Sequence, residues 1–599
     1  MVDPRIYRVC WLLVAVAVIL FGFSLQPRPA ALSSTIMPGP SFGNTGTTIK
    51  HLEAQFPSRS AGSSGDSQLA SWVANQIHGD SGFEVSTDSF RARTSQGMRT
   101  LENVVATKPG LEAGSVVVVS QRDSSVDGNA TGLSGTAVMV ELADALSAQT
   151  LNRSVTLIST SGQIGAAGVT RIAHEFSRGS VDAVIVLGDL ASRSVRQPIV
   201  VPFSDGDDVA PTALTRTLAS AITAQTGLQN RQTKFGGQLL RLAFPYTATG
   251  QAPFADRSIP AVLVSLAGDR PTSGVGAGVV PGAVNGALAG KLGVAVFGSV
   301  EALDRGQALP APAPVLVLSG HIVPAWAVRL LVLTLILPVA CSLLDGIARL
   351  RRQGHAPLRW VIWVLSSAVP FVIGYIALLL ARLTGLLNVT TPGAVGAGEV
   401  PAGATGLVVL IAVLIVIVLA FVLLRPRCLR LAATMKSGRV PQSPAANAAA
   451  VALSAVMTVT ALVIWIVNPL SAVLVLLPLH LWLWFGEPAI RSRRALTLPA
   501  IVVAVLPAFV VLFYYHSLLG LSVGQLLWSG ALMLAGGTMS PLAAFYWSVM
   551  CGSVFAAVVL AVRGGRAGSV ARDTEITVRG PVTYAGPGSL GGTESALRH

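Results

Sequence analysis

The sequence predicts two fold classes in one chain: an α/β domain on a mainly parallel mixed sheet flanked by helices, then an all-α transmembrane bundle. Three observations lead there. Of 599 residues, 52% are hydrophobic and only 12% charged, against about 25% charged in ordinary soluble domains. The deficit is concentrated from residue 322 onward, where apolar runs approach the roughly 20 residues needed to cross a bilayer. Before it, short strand-like runs alternate with amphipathic helical stretches, as in layered α/β domains.

The elements follow in order. Residues 10–25, CWLLVAVAVILFGFSL, come after Arg5 and Arg8. The run is long for a cleaved signal, and no small-x-small cleavage site follows closely. Residues 1–25 therefore read as a transmembrane signal anchor. Residues 26–50, rich in Pro, Ser, Gly and Thr, read as a linker. Residues 51–304 carry the α/β pattern. Amphipathic spacing marks 65–78 as a helix. NVVAT (103–107), SVVVVS (115–120), SVTLIST (154–160), DAVIVLG (182–188) and PAVLVSL (260–266) read as buried strands, with helices at 134–148 and 164–177. Strands apolar throughout are those with helices on both faces. A proline-rich linker, 305–321, contains LPAPAPV (309–315).

The bundle, 322–563, is expected to hold about eight helices. They lie near 322–343, 359–381, 406–424, 447–467, 470–486, 498–518, 522–538 and 543–562. Three basic segments should be cytoplasmic by the positive-inside rule: Arg349, Arg351, Arg352 and Arg359; Arg425, Arg427, Arg430, Lys436 and Arg439; Arg491, Arg493 and Arg494. The nearly uncharged 383–405 should face outward. This implies a multi-pass plasma-membrane protein with its N-terminus cytoplasmic and residues 26–321 extracytoplasmic. Nine spans is the favoured total, yet it puts Arg563, Arg566 and Arg572 outside. Eight is the alternative, if the glycine-rich 522–538 is re-entrant. The tail, 564–599, reads as disordered.

The net charge of +14 does not imply nucleic acid. Much of the excess flanks apolar runs, and no basic stripe is interleaved with aromatics. The lipid bilayer is the implied partner. Cys10, Cys341, Cys428 and Cys551 all lie in or beside apolar segments, leaving 26–321 without a disulfide framework or a cysteine-based zinc site. Arginine outnumbers lysine, and Ala, Gly and Val abound, which fits a GC-rich bacterial genome.

An ordered series of motifs runs through the α/β region: PSRSAGSSGDSQLASWVANQI (57–77), NVVAT, VVVVSQRDSS (116–125), SGTAVMVELADAL (134–146), VTLISTSGQIGAAG (155–168), AVIVLGDL (183–190) and APFADRSIPAVLVSL (252–266). Together they resemble zinc exopeptidases of the bacterial leucyl aminopeptidase type, peptidase family M28, over about 240 residues. The resemblance implies two adjacent zinc ions that activate a shared water. They would be held by imidazoles and carboxylates, with a separate glutamate as base. At the matching positions Gln121 replaces the first histidine. Thr131 replaces the bridging aspartate, Gly162 the general base and Gln163 a glutamate ligand. Asp123 and Asp189 match. After Ile-Pro-Ala there is no histidine, only Gly268, Asp269 and Arg270. Asp123 and Asp189 also have a bland reading as strand-end caps.

Other residues do not rebuild a site. His51, His78 and His174 are the only histidines between 26 and 320, and His174-Glu175 has no second histidine four residues on. Asp205, Asp207 and Asp208 read as turn chemistry, with weak calcium binding as the lesser reading. Within the apolar spans only His480 and His516 are ionisable, with Asp345, Arg382 and Glu487 at boundaries. That favours a structural or partner-binding bundle over an ion-coupled transporter. The layout resembles the membrane peptidases of the vacuole and endoplasmic reticulum, and the aminopeptidase-like subunit of the lipid-anchor transamidase. The resulting expectation is a catalytically inactive binding or scaffolding module without cofactor, presented to a peptide or envelope protein. A membrane-bound zinc aminopeptidase, and a transporter or lipid-handling bundle with an accessory ectodomain, are the alternatives.

Overall fold

The computed structural model describes residues 4–33, 40–79, 82–177, 179–271, 284–318, 320–352, 357–389, 400–434, 446–485, 490 and 494–573. Lys436, Arg439, Glu487, Arg491, Arg493 and the tail from 574 lie outside them, as does part of the uncharged 383–405 segment.

Seven strands form one mixed sheet: β2 (Glu84–Thr94), β3 (Gly97–Lys108), β4 (Ser115–Gln121), β5 (Ser154–Thr160), β6 (Ala183–Leu187), β7 (Val200–Val201) and β8 (Ala261–Val264). Their order is β2-β3-β5-β4-β6-β8-β7. The centre, β5-β4-β6-β8, is parallel, while β2, β3 and β7 join antiparallel. Three expected strands fall within β3, β4 and β5, and the other two, 182–188 and 260–266, contain the shorter β6 and β8. The hairpin strand β2 was not anticipated. Its sequence, EVSTDSFRART, is largely exposed, so it lacks the apolar signal of the central strands.

Alternation along the central strands builds two cores. Val116, Val118, Leu157, Ile185, Val262 and Val264 pack in one cluster with helices α3 (Ser64–Gly79), α4 (Ser134–Ser147), α6 (Thr212–Thr226) and α9 (Gly286–Arg305). Val117, Val119, Ile158, Val184, Val186 and Leu263 belong to a second cluster. That one takes in α5 (Ala167–Glu175), α7 (Phe235–Ala243) and α8 (Ala252–Ala255), then continues without a break into the membrane helices.

Two expected boundaries move. Phe42, Thr45 and Ile49, placed in the linker, are buried, because α2 (Thr45–Gln55) packs against α9. The backbones meet so closely at Gly46 and Gly286 that a Cβ on Gly286 would sit 2.4 Å from Gly46 Cα. The second linker also carries structure: β9 (Leu316–Leu318) pairs with β10 (His321–Val323), and β10 with β1 (Gln26–Pro27) just after the first helix.

Among the described residues, seven helices are long and apolar enough to cross a membrane. One of them, α9, is folded into the α/β domain, where its Asp304 carboxylate accepts the Asn152 and Arg153 amides. The other six are α1 (Pro4–Phe23), α10 (Ala325–Arg352), the Ala404–Leu429 stretch, α15 (Ala446–Val467), α17 (Arg494–Leu519) and α19 (Pro541–Asp573). The Ala404–Leu429 stretch joins α13 (Ala404–Leu419) through a π-helical turn at Ala420–Leu424 to α14 (Arg425–Thr434). Shorter apolar helices are α12 (Val369–Leu383), α16 (Pro469–Trp484) and α18 (Val523–Gly536). The expected span 359–381 is broken into α11 (Pro357–Leu365) and α12 just ahead of Pro370, as proline requires. At the far end of the chain α19 runs on to Asp573, past the expected start of the disordered tail.

Helix α18 packs against the α/β domain. At its C-terminal end Arg382 Nη1 donates to the Ala535 and Gly536 carbonyls. Trp528 and Ala535 share an apolar cluster with Ile164 of the α/β domain, and Met533 shares one with Tyr246. The helix lies along the α/β domain rather than leading away from it.

Candidate functional site

The parallel register aligns Gln121 with Thr160, Ser120 with Leu187 and Leu187 with Val264. The loops that follow these strand ends carry the positions singled out from sequence. Gln121 ends β4 against the backbone of Gly250, where a Cβ would sit 3.2 Å from its Nε2. Asp123 is buried, and both its oxygens accept the Gln163 amide, at 3.1 and 3.0 Å. Gly162 adopts φ +83°, and a side chain there would begin 2.7 Å from Leu101 Cδ1. Thr131 donates to Asn129 Oδ1 at 3.1 Å. Asp189 Oδ1 accepts the Ala191 and Ser192 amides at 3.0 and 2.9 Å. Ser134 links these last two regions, donating to Thr131 O and accepting the Leu190 amide.

A buried charged lattice supports this edge. Arg122 Nε pairs with Asp66 at 2.9 Å. Its other nitrogens donate to the carbonyls of Ser159 and Glu102. Asp66 also accepts from the Ser161 hydroxyl and the Gly62 amide. Arg59, fully buried, donates to the carbonyls of Arg122 and Asn129. Burial pulls its pKa down to about 10 against the pull of nearby carboxylates, Asp123 first. Burial pushes the Asp123 carboxyl up to about 7, helped by the Asp66 charge and opposed by the Gln163 amide. Asp189 rises to about 6 through burial, against its two amide bonds.

Two zinc ions do not fit these residues. The two retained carboxylates are spent on backbone amides. The neighbouring positions offer an amide, a hydroxyl and a glycine, which are poor or absent donors for a doubly charged cation. Among the described residues no group of three or more His, Cys, Asp or Glu could hold a metal. The Gly268–Arg270 segment faces elsewhere: Asp269 forms an ion pair with Arg241, and Arg270 Nε donates to Leu518 O on α17. The strand ends instead receive Gly250 and, beside it, fully buried Gln251, whose Nε2 donates to Phe203 O at 2.9 Å. Sequence reasoning missed Gly250, which meets Gln121 only through folding across about 130 residues.

No family model and no curated protein matches the chain. Among solved structures, it is similar to the glutaminyl cyclase of Fimbriiglobus ruber at 16% identity, over 46% of this chain and 99% of that one, with a TM-score of 0.37. It is similar to a zinc aminopeptidase from Bacillus subtilis at 11% identity, over 43% of this chain and 94% of that one, with a TM-score of 0.35. It is also similar to an aminopeptidase from Aneurinibacillus sp. strain AM-1 at 14% identity, over 45% and 94%, with a TM-score of 0.34.

The remaining polar residues have local roles. His174 on α5 meets Arg257 Nη1 at 2.9 Å. They lie beside Asp205 and Asp256 in a cavity of about 320 Å³, where burial and the Asp256 charge push Asp205 up to about 7. In the bundle, His480 Nε2 contacts Leu335 O at 3.0 Å. A carbonyl only accepts, so Nε2 carries the proton. Nδ1 meets the Tyr7 hydroxyl at 2.9 Å, which ties α1 to α16. His516 Nδ1 contacts Leu521 O at the turn after α17.

The domain and bundle are joined at α7. Its last carbonyls, which have no partner within the helix, accept from membrane-helix side chains. Asn468 Nδ2 donates to Leu242 O, Ser471 Oγ to Ala243 O, and Tyr515 Oη to Phe244 O just beyond. Ile164, in the loop between Gln163 and α5, is buried with Leu378, Leu387, Val409 and Trp528.

Proposed function

We propose that the chain is a polytopic membrane protein whose aminopeptidase-like domain is catalytically inactive. On this reading it serves as a binding or scaffolding module, docked on its own bundle, for a peptide or envelope protein. One observation carries the reading. At the strand ends Asp123 and Asp189 hold backbone amides, the nearby Asp66 carboxylate is paired with Arg122, and among the described residues no group of three or more His, Cys, Asp or Glu could hold a metal. A glutamate at Gly162 would need a left-handed backbone and space taken by Leu101. The arrangement holds loops in place and supplies neither cation donors nor a base for water. The His480 contacts likewise favour a structural bundle over proton-coupled transport.

We further infer eight membrane crossings, with α18 lying along the α/β domain and both chain ends on the opposite side. The positive-inside rule makes that opposite side cytoplasmic. Helix α1 is retained, because Tyr7 and Trp11 pack on His480 and Gln26 pairs with Ile322.

The test uses the full chain purified in detergent. Zinc content is measured after dialysis, together with hydrolysis of aminoacyl substrates and cyclisation of an N-terminal glutaminyl peptide. The expected result is less than one zinc per chain and no turnover that a chelator abolishes. Two tightly held ions with chelator-sensitive turnover would overturn the reading and restore the zinc aminopeptidase alternative.

A further inference from the structure

The β2–β3 hairpin is the one long part of the sheet edge whose sequence is basic rather than apolar. Its turn is closed by Thr94, which donates to Gly97 O and accepts the Gln96 amide. At the tip Ser95 O accepts from Asn388 Nδ2 at 3.1 Å. Asn388 lies five residues past the end of α12, so this bond fixes the tip at the mouth of a membrane helix. Arg91, Arg93 and Arg99 are all exposed there, within four residues of Ser95. At about 3.3 Å per residue, they lie within roughly 15 Å of that contact. Of the nearby acids, Asp88 on β2 is paired with Arg171 at 3.0 Å, and Glu102 on β3 lies one same-face pair from Arg91, opposite Ser89, leaving Arg93 and Arg99 nearer the turn. Met98, beside them, is 55% exposed. At the end of α12, Leu383 is 79% exposed and Leu386 56% exposed. The register places Arg91 and Arg93 on one face of the hairpin and Arg99, opposite Ala92, on the other, so cations flank both faces of the tip where a membrane helix ends in exposed leucines.

We propose that this hairpin tip is a membrane-contact arm. Arg91, Arg93 and Arg99 engage the phosphates of anionic phospholipids in the leaflet on the α/β domain's side, while Leu383 and Leu386 sit among the acyl chains beneath. Charge complementarity selects the occupant: a cluster of like charges at an apolar boundary is satisfied by anionic headgroups, and screening confines the attraction to about a Debye length, near 8–10 Å. The inference rests on the bundle lying in a bilayer.

The full chain is reconstituted in nanodiscs of phosphatidylcholine alone, or of phosphatidylcholine with phosphatidylglycerol, and amide hydrogen exchange of residues 84–108 is followed. With phosphatidylglycerol, exchange near the tip should slow about fivefold, and high salt should reverse most of this. The variant R91Q/R93Q/R99Q should exchange equally in both lipids. Slowing in phosphatidylcholine alone when inorganic phosphate replaces chloride would assign the site to free anions and overturn the lipid claim. Incorporated protein whose hairpin ignores lipid charge would overturn it as well. A chain that fails to enter nanodiscs at all would instead sink the membrane reading itself.

Discussion

Asp123 illustrates what the individual residues do. Its carboxyl sits where the sequence suggests a metal-site aspartate, yet it serves as an acceptor for the Gln163 amide. Burial raises its pKa from the usual carboxylate range to about 7. The folded state therefore holds this proton more tightly than the unfolded chain does. The associated stability is fully present below about pH 4 and is lost as pH rises through 7, by up to about 4 kcal/mol. Asp123→Asn keeps an acceptor for Gln163 without the charge. Thermal unfolding of the full chain at pH 5 and pH 8 should show a smaller loss of stability in this variant than in the parent. Equal losses would count against a buried, protonated Asp123. Gly162→Glu, the substitution that would reinstall a base, should instead lower the melting temperature. The left-handed backbone costs a side chain roughly 1–2 kcal/mol, and the Cβ also meets Leu101. A variant as stable as the parent would show that this loop can rearrange.

Among the elements, α7 is where the two solvents of the chain meet. Its terminal carbonyls are capped by Asn468, Ser471 and Tyr515, three side chains from two membrane helices. Each such bond is worth about 1 kcal/mol net, and more if the carbonyl is left buried and unpaired. The triple variant N468A/S471A/Y515F should speed amide exchange across Phe235–Ala243 while leaving β4, β5 and β6 protected. Uniform exchange throughout the domain would argue instead for global loosening, and unchanged exchange in α7 would remove the caps' role. The same junction explains why this helix drew no attention in the sequence. FGGQLLRLA is short and glycine-bearing, and its partners lie more than 220 residues downstream. Strand β2 escaped notice for the opposite reason: an exposed polar edge strand carries no burial pattern to read.

At the scale of the whole molecule, the placement of α18 decides the topology. On the proposed reading both its ends lie on the α/β domain's side, the crossings number eight and α19 ends on the side where α1 begins. In a background lacking the four native cysteines, Ser522→Cys and Thr538→Cys should both react with an impermeant thiol reagent from the α/β domain's side. Arg351→Cys should react only from the other. Labelling of Thr538→Cys from the far side alone would restore nine spans.

The sequence by itself determined the division into an α/β domain and a membrane bundle, the central strands and the approximate membrane helices. Each of these is written in local apolar periodicity and length, which a contiguous stretch of residues carries alone. Folding decided the rest. It determined that Phe42, Thr45 and Ile49 are buried, and that α9 packs against α2, α4 and α6. It also decided that Gly250 rather than Gly268–Arg270 lies against Gln121, and that α18 packs with Ile164 and Tyr246 of the α/β domain. All four depend on which distant surface a segment finds to bury itself against, and that partner is not encoded in the segment's own pattern.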